Sequence, residues 1–501
     1  MDSATYPDPS RRLLITGATI LAVLMVTLDG TIAVIALPHI QSALGASQDQ
    51  IAWVLTSYLL AGAIATPLAG WLADRFGRVR VMALSVVGFT ISSVACGLAP
   101  TLEFLVFARI VQGFSGASLV PLSQVLLLDI NPPEKQGPAI AAFGMGTLLG
   151  PMMGPVLGGW LTEYVSWRSI FLVNAPVGVV ALLGLMIFAK EVHLSRASPF
   201  DARGFAFVSV SIAAFQLMLD RGQMLDWFES REIWVEAVLA ATSFYLFLVH
   251  TLTTDRPFVN LSIFRDRNFA VGSVFGFFLG GLMYSVMAMT APLLADLMGY
   301  PAILVGIAMA PRGIGTLIMM PIVGILVNRG DPRVLIVIGM VISGISTAMM
   351  SGFSLHMDAR LVEVAGFVQG IGAAFLFVPV TTVVFATIPA HLRNQGTAMN
   401  SLIRALGGSV WISVMQSMTI RNEASVHARL AEGVRPDNPA LVWRWPDFDF
   451  GSPIEMLRAS GEIGRQALMV SYTDSFWLLY VCAFALAPMV VLLRYRKQEK
   501  S

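Results

Sequence analysis

The feature that most constrains this chain is a series of long apolar runs that recurs along its whole length. Each run has roughly 20 residues, the length that an α-helix needs to cross about 30 Å of hydrocarbon. We therefore expect an all-α membrane protein whose first span is retained as a helix, because it is too long for the core of a cleaved signal peptide. The charges, prolines and glycines that bound the runs predict about fourteen spans, at 13-37, 51-71, 79-99, 104-127, 138-161, 169-189, 204-220, 233-252, 269-293, 302-327, 333-353, 361-387, 396-419 and 474-493.

The composition agrees with membrane insertion. Hydrophobic residues make up 56% of the chain and charged residues 13%, whereas roughly a quarter of a typical soluble domain is charged. Cys96 and Cys482 both lie in apolar runs, so we expect neither a disulfide nor a metal site. The net charge of +1 does not indicate a nucleic-acid partner, and no cofactor is expected.

The basic residues predict the orientation of the chain. Most of the 32 Lys and Arg residues lie in the termini and in the loops after even-numbered spans. Positive charge is retained on the cytoplasmic side of a membrane. We therefore expect a multi-pass protein of the inner (plasma) membrane with both termini in the cytoplasm.

Two parts of the chain resemble each other. The sequence GWLADR at 70–75 recurs in weakened form as GILVNR at 324–329, and VQG at 111–113 recurs in the same order at 368–370. Parallel repeats of this kind are typical of transporters, in which one half rocks against the other around a central site. Chance similarity between Gly-rich loops is the alternative.

The repeats predict the domain organisation. We expect an N-terminal six-helix bundle at 1-192, a linker with two extra transmembrane helices at 193-258 and a C-terminal six-helix bundle at 259-501. The last bundle contains a hydrophilic segment at 421-470 with mixed charge, several prolines and a group of aromatic residues. This segment is predicted as a loop on the outer side, either a docking surface for a partner or a poorly ordered connection.

The motifs of the chain resemble those of the major facilitator superfamily, and more narrowly its fourteen-span drug:proton antiporter branch of the EmrB/QacA type. The resemblance covers about residues 13–493 and implies the major facilitator fold, two six-helix bundles plus two extra helices between them. It also implies secondary, proton-driven export. The motifs are LDGTI at 28–32, GxLADRxGR at 70–78, RxxQG at 109–113, GPxxGPxxGG at 150–159, LDRGQ at 219–223 and DWF at 226–228.

Asp29 lies well inside the first predicted span. On insertion scales a carboxylate at mid-membrane costs about 2.5 to 3.5 kcal/mol, so such a residue indicates a function. Because burial penalises the charged form, a carboxyl group there can take up and release a proton as water access alternates. The resemblance implies a role in proton coupling or in binding cationic drugs. The alternative is a structural acid, paired with an arginine or with backbone groups.

Arg109 begins the RxxQG motif, a few residues into the fourth predicted span. A guanidinium keeps its charge in proteins. Arg109 therefore would act as a fixed cation beside an acid, and the resemblance implies a part in proton transfer. The alternative is that its side chain extends to the outer membrane interface.

The fifth predicted span carries glycines four residues apart, which form one smooth helical stripe suited to close helix packing. The prolines of the same motif remove backbone hydrogen bonds and favour a bend. A bendable, closely packed helix suits a gate, and the resemblance implies the antiporter motif. Static close packing is the alternative. The residues concerned are Gly146, Gly150, Pro151, Gly154, Pro155, Gly158 and Gly159.

The GxLADRxGR turn joins the second and third predicted spans. Gly70 and Gly77 permit a tight reversal. Asp74, Arg75 and Arg78 can form ion pairs or cap helix ends that must separate when the inner side opens. The resemblance implies that the turn stabilises the state closed to the cytoplasm. The alternative is that its positive charge only fixes the topology.

The substrate contacts are predicted from the spans of the C-terminal half. Arg312 and Arg404 are charges deep in predicted spans and should face the bundle interior, although Arg404 can instead bind backbone groups or carboxylates structurally. Methionine and aromatic side chains suit loose recognition of varied apolar ligands, but most of them in any membrane helix only contact lipid or neighbouring helices. The apolar candidates are Phe278, Met283, Tyr284 and Met287.

These observations favour a proton-coupled antiporter that exports lipophilic, drug-like or toxic compounds by alternating access, surrounded by membrane lipid. None of the four lysines lies in a GxxxxGK[ST] loop, so this chain has no phosphate-binding P-loop of the kind that a primary pump needs, and no motif indicates an enzyme. The alternative is export of a metabolite or lipid on the same scaffold. A non-transporting sensor would not need Asp29 and Arg109. In a cell with two membranes, the resemblance also implies a periplasmic adaptor protein and an outer-membrane channel.

Overall fold

The computed structural model describes residues 6–191, 199–446 and 448–494, and within them the chain is helical with no β-strand. The domain boundary predicted at residue 192 and the last residues of the C-terminus lie outside this part of the chain. The helices are α1 (Pro9–Leu44), α2 (Gln48–Ala65), α3 (Leu68–Phe76), α4 (Arg78–Gly97), α5 (Leu102–Gly116), α6 (Leu119–Ile130), α7 (Gln136–Tyr164), α8 (Ser169–Leu172), α9 (Asn174–Phe188), α10 (Ala202–Arg221), α11 (Arg231–Thr253), α12 (Arg267–Pro292), α13 (Ala302–Arg329), α14 (Pro332–Ser351), α15 (Ala359–Ala386), α16 (Arg393–Ala431), α17 (Pro439–Arg444) and α18 (Pro453–Ala485).

Two of the predicted spans are interrupted. The span predicted at 51-71 contains Pro67, which lacks an N–H group and clashes with the preceding turn; α2 and α3 therefore meet at a bend of 54°. The span predicted at 104-127 divides into α5 and α6 at Ala117 and Ser118. There the Ser118 hydroxyl lies 2.6 Å from that of Ser85 in α4.

Among the described residues, twelve helices are long and apolar enough to cross a membrane, and the bent α2–α3 pair makes thirteen. The span predicted at 396-419 lies within α16, which does not meet the same criterion. Its hydropathy is lowered by polar residues such as Asn400 and Arg404, yet these are buried against other helices. Since α16 packs on α12 and α18, these two polar residues face protein rather than lipid.

The described helices form two six-helix bundles, with α2–α3 and α5–α6 each counted as one, and two further helices lie beside them. In the first bundle α1 packs on α7 and α9, α2 on α5, and α4 on α5 and α9. In the second, α12 packs on α16, α13 on α15, and α14 on α15 and α18. The helices α10 and α11 pack on each other, and α10 also contacts α2 and α16.

One helix, α7, connects the two bundles. Its contacts are with α1 on the N-terminal side and with α13 of the other bundle. A Cβ atom at Gly137 would lie 2.4 Å from the Gly324 carbonyl oxygen of α13, and the Met152 side chain lies against Gly313. A displacement of α1 can therefore reach the second bundle through a single intervening helix.

The segment at 421-470 differs from the predicted loop. The helix α16 continues to residue 431, α17 spans six residues, and α18 begins at Pro453. The segment is therefore mostly two helices that extend beyond the predicted spans, joined by a short connection. In that connection the rings of Trp445 and Phe448 stack with centroids 5.7 Å apart, and Phe450 packs edge-on against Phe448. Trp443 is 82% exposed.

Candidate functional site

Asp29 forms a fully buried ion pair with Arg109. The Nη1 atom of Arg109 donates to Oδ2 of Asp29 at 2.5 Å, and both side chains are 0% exposed. Asp29 lies on the face of α1 that points into the first bundle, and Arg109 comes from α5. Asp29 is therefore paired with an arginine, as the alternative to a functional acid supposed. The same contact brings together the two residues that were predicted to couple transport to protons.

Three polar side chains complete the surroundings of the Asp29 carboxylate. The side-chain amides of Gln112 and Asn174 each donate to Oδ1 at 2.8 Å. Asn174 also donates to the hydroxyl of Ser93 at 3.0 Å, and that hydroxyl donates to the Phe171 carbonyl at 2.8 Å. The carboxylate therefore accepts three hydrogen bonds at a position that is 0% exposed.

Arg109 does not extend to the membrane interface. Its Nε donates to the Val54 carbonyl at 3.0 Å, and its Nη1 donates also to Oε1 of Gln112 at 2.8 Å. The guanidinium carbon lies 4.0 Å from the centre of the Tyr58 ring and 5.6 Å from that of Phe171. Its Nη2 has no hydrogen-bond partner in the described structure. Loss of the Asp29 charge would leave this cation without a counter-ion in a dry site, which is strongly unfavourable.

A second polar network, here called the turn-end lock, closes the end of the molecule where the GxLADRxGR turn lies. Asn394 of α16 donates from Nδ2 to Asp74 at 2.5 Å and accepts from Nε of Arg78 at 3.1 Å. Arg78 also forms a salt bridge with Asp129 at the end of α6. Arg393 donates to the other oxygen of Asp129 at 3.0 Å. The lock therefore joins the first bundle to the start of α16 in the second.

Glycine is needed at positions 70 and 77 of the turn for two different structural reasons. A Cβ atom at Gly70 would lie 3.1 Å from the Cα of Gln395, so the glycine permits close approach of α3 and α16. Gly77 has φ 94°, in the left-handed region, and the Glu191 carboxylate fills the space beside it. That carboxylate accepts hydrogen bonds from the first amides of α4. Arg75 is exposed and forms no salt bridge within the described ranges.

The glycine stripe of α7 faces α1. A Cβ atom at Gly150 would lie 2.1 Å from Oγ1 of Thr27, and one at Gly154 would lie 2.2 Å from Oγ1 of Thr31. The Thr27 hydroxyl donates to the Gly146 carbonyl at 3.1 Å. A Cβ atom at Gly158 would lie 3.0 Å from Cγ1 of Ile32, and Gly159 is buried. Pro151 and Pro155 lie inside one continuous helix. The stripe therefore packs directly on the helix that carries Asp29.

The predicted substrate residues fall into two places. Arg312 donates from Nη2 to the Met283 carbonyl at 2.8 Å, and its Nε is buried without a partner. The Arg404 guanidinium carbon lies 5.2 Å from the centre of the Phe377 ring. The Tyr284 ring packs on Gly408, one helical turn from Arg404 on α16. Neither arginine forms a salt bridge within the part of the chain that the structure describes.

The other two candidates have different neighbours. Phe278 lines a separate apolar cavity and packs on Trp411 with ring centroids 5.6 Å apart. Met287 is half-buried against an apolar cluster on the α12 side of the second bundle. The structure thus places Met283 at Arg312 and Tyr284 one turn from Arg404, whereas Phe278 lines an apolar cavity.

Several residues of both networks were not singled out from the sequence. Asp129, Arg393 and Asn394 complete the turn-end lock, and Asn174 and Ser93 complete the surroundings of Asp29. One signal was present for Asp129, because an acid follows an unbroken run of leucines near the end of the fourth predicted span. Nothing in the local sequence indicates that Asn394 contacts a turn 316 residues earlier.

Replacement of Gly150 by Ala should destabilise the protein. The added methyl group would lie 2.7 Å from the Leu28 amide nitrogen as well as against Thr27, and overpacking of this kind costs about 1 to 3 kcal/mol. Gly17→Ala on α1 is the matched control, because nothing lies within 4 Å of its added Cβ atom. Thermal unfolding in detergent would measure both variants. Equal melting temperatures for the two would contradict the proposed helix contact.

Removal of the Asp129 charge should weaken the turn-end lock. The loss of one partner from a mostly buried ion pair costs on the order of 3 kcal/mol. The state of the lock can be followed by cross-linking Glu134→Cys to Asn328→Cys, since the Asn328 amide lies 2.5 Å from the Glu134 carbonyl oxygen. With Cys482→Ser as background, we expect Asp129→Asn to slow cross-linking severalfold. Glu163→Gln, at an exposed acid near the other end of α7, should leave the rate unchanged. An unchanged rate in Asp129→Asn would show that Asp129 does not hold the lock closed.

Comparison with known proteins shows the family of this chain. A sequence profile described as Major Facilitator Superfamily matches residues 19–412. The Multidrug export protein EmrB of Escherichia coli (strain K12) is 35% identical over 477 residues, which cover 94% of this chain and 93% of that protein. The Fatty acid resistance protein FarB of Neisseria gonorrhoeae is 37% identical over 424 residues, covering 84% of this chain and 83% of FarB.

Solved structures show the same architecture. The human organic anion transporter MFSD10 superposes with a TM-score of 0.62 at 14% identity, covering 95% of this chain and 100% of that structure. The proton:xylose symporter XylE gives a TM-score of 0.59 at 15% identity, covering 96% and 97%. These identities show the fold alone, whereas the sequence relatives show the family. The chain therefore belongs to the major facilitator superfamily of membrane transporters, in the branch that contains the EmrB exporters.

Proposed function

We propose that this transporter exports lipophilic, drug-like compounds by proton antiport, with Asp29 as the group that carries the proton. The observation that carries the proposal is the ion pair between Asp29 and Arg109, buried in a membrane bundle. The name of the EmrB relative, a multidrug export protein, supports the substrate class. Charged residues inside membrane spans mark ion and proton pathways.

The proton would act by breaking the buried pair. Protonation of Asp29 removes the charge that holds Arg109, so the conformation in which the two are dry and in contact loses its main electrostatic support. Because Asp29 is 0% exposed here, proton exchange requires a second conformation in which water reaches the carboxyl group. The site thus links the protonation state to the conformation, as alternating access by proton antiport requires.

The helix α7 would transmit this change. One face of α7 packs on α1 through the glycine stripe, and another packs on α13 of the second bundle. A shift of α1 after loss of the ion pair would therefore move the bundle interface. The turn-end lock opposes this movement, because Asp74, Arg78 and Asp129 must release Arg393 and Asn394 before that end can open.

Export of lipophilic anions is a second candidate function on the same scaffold, and it corresponds to the lipid or metabolite alternative. The observation that favours it is the pair of buried arginines, Arg312 and Arg404, which lack carboxylate partners among the described residues. Buried charges are costly unless paired, so an anionic ligand would compensate them. The name of the FarB relative, a fatty acid resistance protein, points to the same class.

We also propose the orientation and partners. The turn-end lock would lie on the cytoplasmic side with both termini, as the distribution of basic residues predicts, and the domains would be divided at residues 192 and 259. The helical extensions at 421-470 would then face the periplasm. Their length and the exposed Trp443 suit a dock for a periplasmic adaptor protein that leads to an outer-membrane channel. Loss of adaptor co-purification after removal of residues 432–452 would test this dock.

The variant Asp29→Asn should lose proton-driven transport but retain exchange. Asparagine cannot titrate, so a pH gradient should no longer drive accumulation of a lipophilic dye in vesicles. Exchange of labelled for unlabelled dye without a gradient needs only the conformational change and should persist. Both rates would be measured in proteoliposomes with purified protein.

Two further variants guard against misfolding as the explanation. Asp29→Glu keeps a titratable carboxyl group and should keep some gradient-driven transport. The double variant Asp29→Asn with Arg109→Gln removes the unpaired cation, and it should melt at a higher temperature than Asp29→Asn alone. If Asp29→Asn still accumulated dye at the full rate under a pH gradient, Asp29 would have no part in proton coupling.

The Arg404→Gln variant tests whether the arginines bind an anionic substrate. If they do, it should reduce dodecanoate transport at least tenfold, since a hydrogen bond to a charged group contributes about 1.5 to 3 kcal/mol. Transport of the cation tetraphenylphosphonium should not fall. Arg404→Lys is the matched control, because it retains the charge. Equal loss for both compounds, with the lysine variant equally impaired, would assign Arg404 to structure.

A further inference from the structure

A groove separates the end of α10 from the second half of α16. Its volume is about 880 Å³, and its walls are α10, the short turn that follows α10, and α16. We call it the α10–α16 groove. The volume lies within the range of about 300 to 1,000 Å³ that is typical of small-molecule sites. Most of the lining is apolar, including Phe215, Leu219, Val410, Val414 and Met418.

The groove extends over one half of the membrane thickness. The helix α16 runs without interruption over Arg393–Ala431, and its first residues belong to the turn-end lock. At a rise of 1.5 Å per residue, Val410 lies about 24 Å along the helix from Asn394 and Arg421 lies about 40 Å along it. A bilayer is about 40 to 45 Å thick with its headgroups. Val410 is therefore at the depth of the acyl chains, and Arg421 is in the headgroup layer opposite the lock.

The polar residues of the groove are concentrated at this headgroup end. Arg421, Asn422 and Ser425 lie there, and Arg421 is the only charged side chain among the described residues that line the groove. Arg421 forms no salt bridge within the described ranges. Asp474 accepts a hydrogen bond from Asn422 at 2.6 Å but does not line the groove. A guanidinium binds phosphate oxygens strongly, so an anionic headgroup with an acyl chain would match the charge and the apolar surface.

The turn after α10 holds one wall of the groove in place. Asp226 and Trp227 both have positive φ angles, 52° and 54°, and such backbone costs about 1 to 3 kcal/mol for a residue other than glycine. The Trp227 indole N–H donates to the Ser417 hydroxyl at 3.0 Å and to Oε1 of Gln223 at 3.2 Å. The turn is thereby fixed to α16, with a tryptophan at the depth where this residue is enriched in membrane proteins. The DWF motif thus shapes the groove, and the proposed transport mechanism does not use it.

We propose that the α10–α16 groove binds an anionic phospholipid of the surrounding membrane. The phosphate lies on Arg421, and one acyl chain lies along Phe215, Val410 and Val414. Val414 is 43% exposed and Phe228 is 51% exposed, so a lipid can enter sideways from its leaflet without passing through the transport pathway. A bound lipid would hold α10 against α16. The site does not depend on proton coupling.

Photocross-linking in a membrane of defined composition would test the site. The full-length protein would be placed in nanodiscs with equal amounts of phosphatidylglycerol and phosphatidylcholine, and either lipid would carry a diazirine on its acyl chain. Tandem mass spectrometry would locate the attached lipid. At residues 410–418 we expect about fivefold more labelling by the phosphatidylglycerol probe, the ratio that an ion pair of about 1 kcal/mol gives. Ile420 is 47% exposed on α16 outside the groove and should be labelled equally by both probes.

Two matched pairs of variants locate the preference. Arg421→Gln should remove it, whereas Arg429→Gln, at an exposed position of the same helix outside the groove, should retain it. Val414→Trp fills the groove and should reduce labelling of Val410 by both probes. Ile420→Trp adds the same side chain outside the groove and should leave the labelling of Val410 unchanged.

Several results would overturn the proposal. Equal labelling of residues 410–418 by the two probes would show only the general lipid layer around the protein. A preference that persists in Arg421→Gln, or that Arg429→Gln removes equally, would also contradict it. If a transported dye abolished labelling by both probes alike, the groove would belong to the substrate instead.

The arginine variants decide alone if Val414→Trp does not fold, because both replace exposed side chains. The Asp29→Asn protein should show the same preference for phosphatidylglycerol. Failure of the proposed transport mechanism would therefore leave this result unaffected.

Discussion

The ion pair between Asp29 and Arg109 is the interaction on which the rest of the structure depends. Two opposite charges are held in contact at 0% exposure, where each would be very costly alone. Such a pair adds little to stability when compared with apolar packing, but removal of either charge is expensive. This asymmetry makes the pair a sensitive element, because one proton is enough to change the energy of the whole arrangement.

In the proposed cycle, the remaining parts of the transporter would convert that change into movement. The glycine stripe keeps α7 in backbone contact with the helix that carries Asp29, and the opposite side of α7 packs on the second bundle. At one end the turn-end lock holds the bundles together through Asp129 and Asn394. Packed interfaces of this type change between discrete arrangements rather than deforming continuously, which suits a two-state cycle.

The sequence was sufficient for the membrane-spanning helices because each span is an independent apolar run whose length is set by the membrane, but the loop predicted at 421-470 is mostly helical in the structure. The motifs also located Asp29, Arg109 and the glycine stripe. Pairing of Asp29 with an arginine was considered, but Arg109 could not be identified as the partner, since the contact joins positions 80 residues apart. Asn394 could not be predicted for the same reason, because its partners are also distant in sequence. The sequence likewise did not decide whether the Arg109 side chain extends to the membrane interface. Phe278 was grouped with Tyr284 by composition, whereas the orientation of α12 places it in a separate cavity.

The central claim is that the Asp29 carboxyl group changes its protonation as the transporter changes conformation. Difference infrared spectroscopy on purified protein, before and after addition of a transported dye, observes this directly through the carbonyl band of a protonated carboxylic acid. The account predicts a difference band that disappears in Asp29→Asn and persists in Glu163→Gln. A band of full size in Asp29→Asn, or no carboxylic-acid band in the unaltered protein while the dye binds, would contradict it.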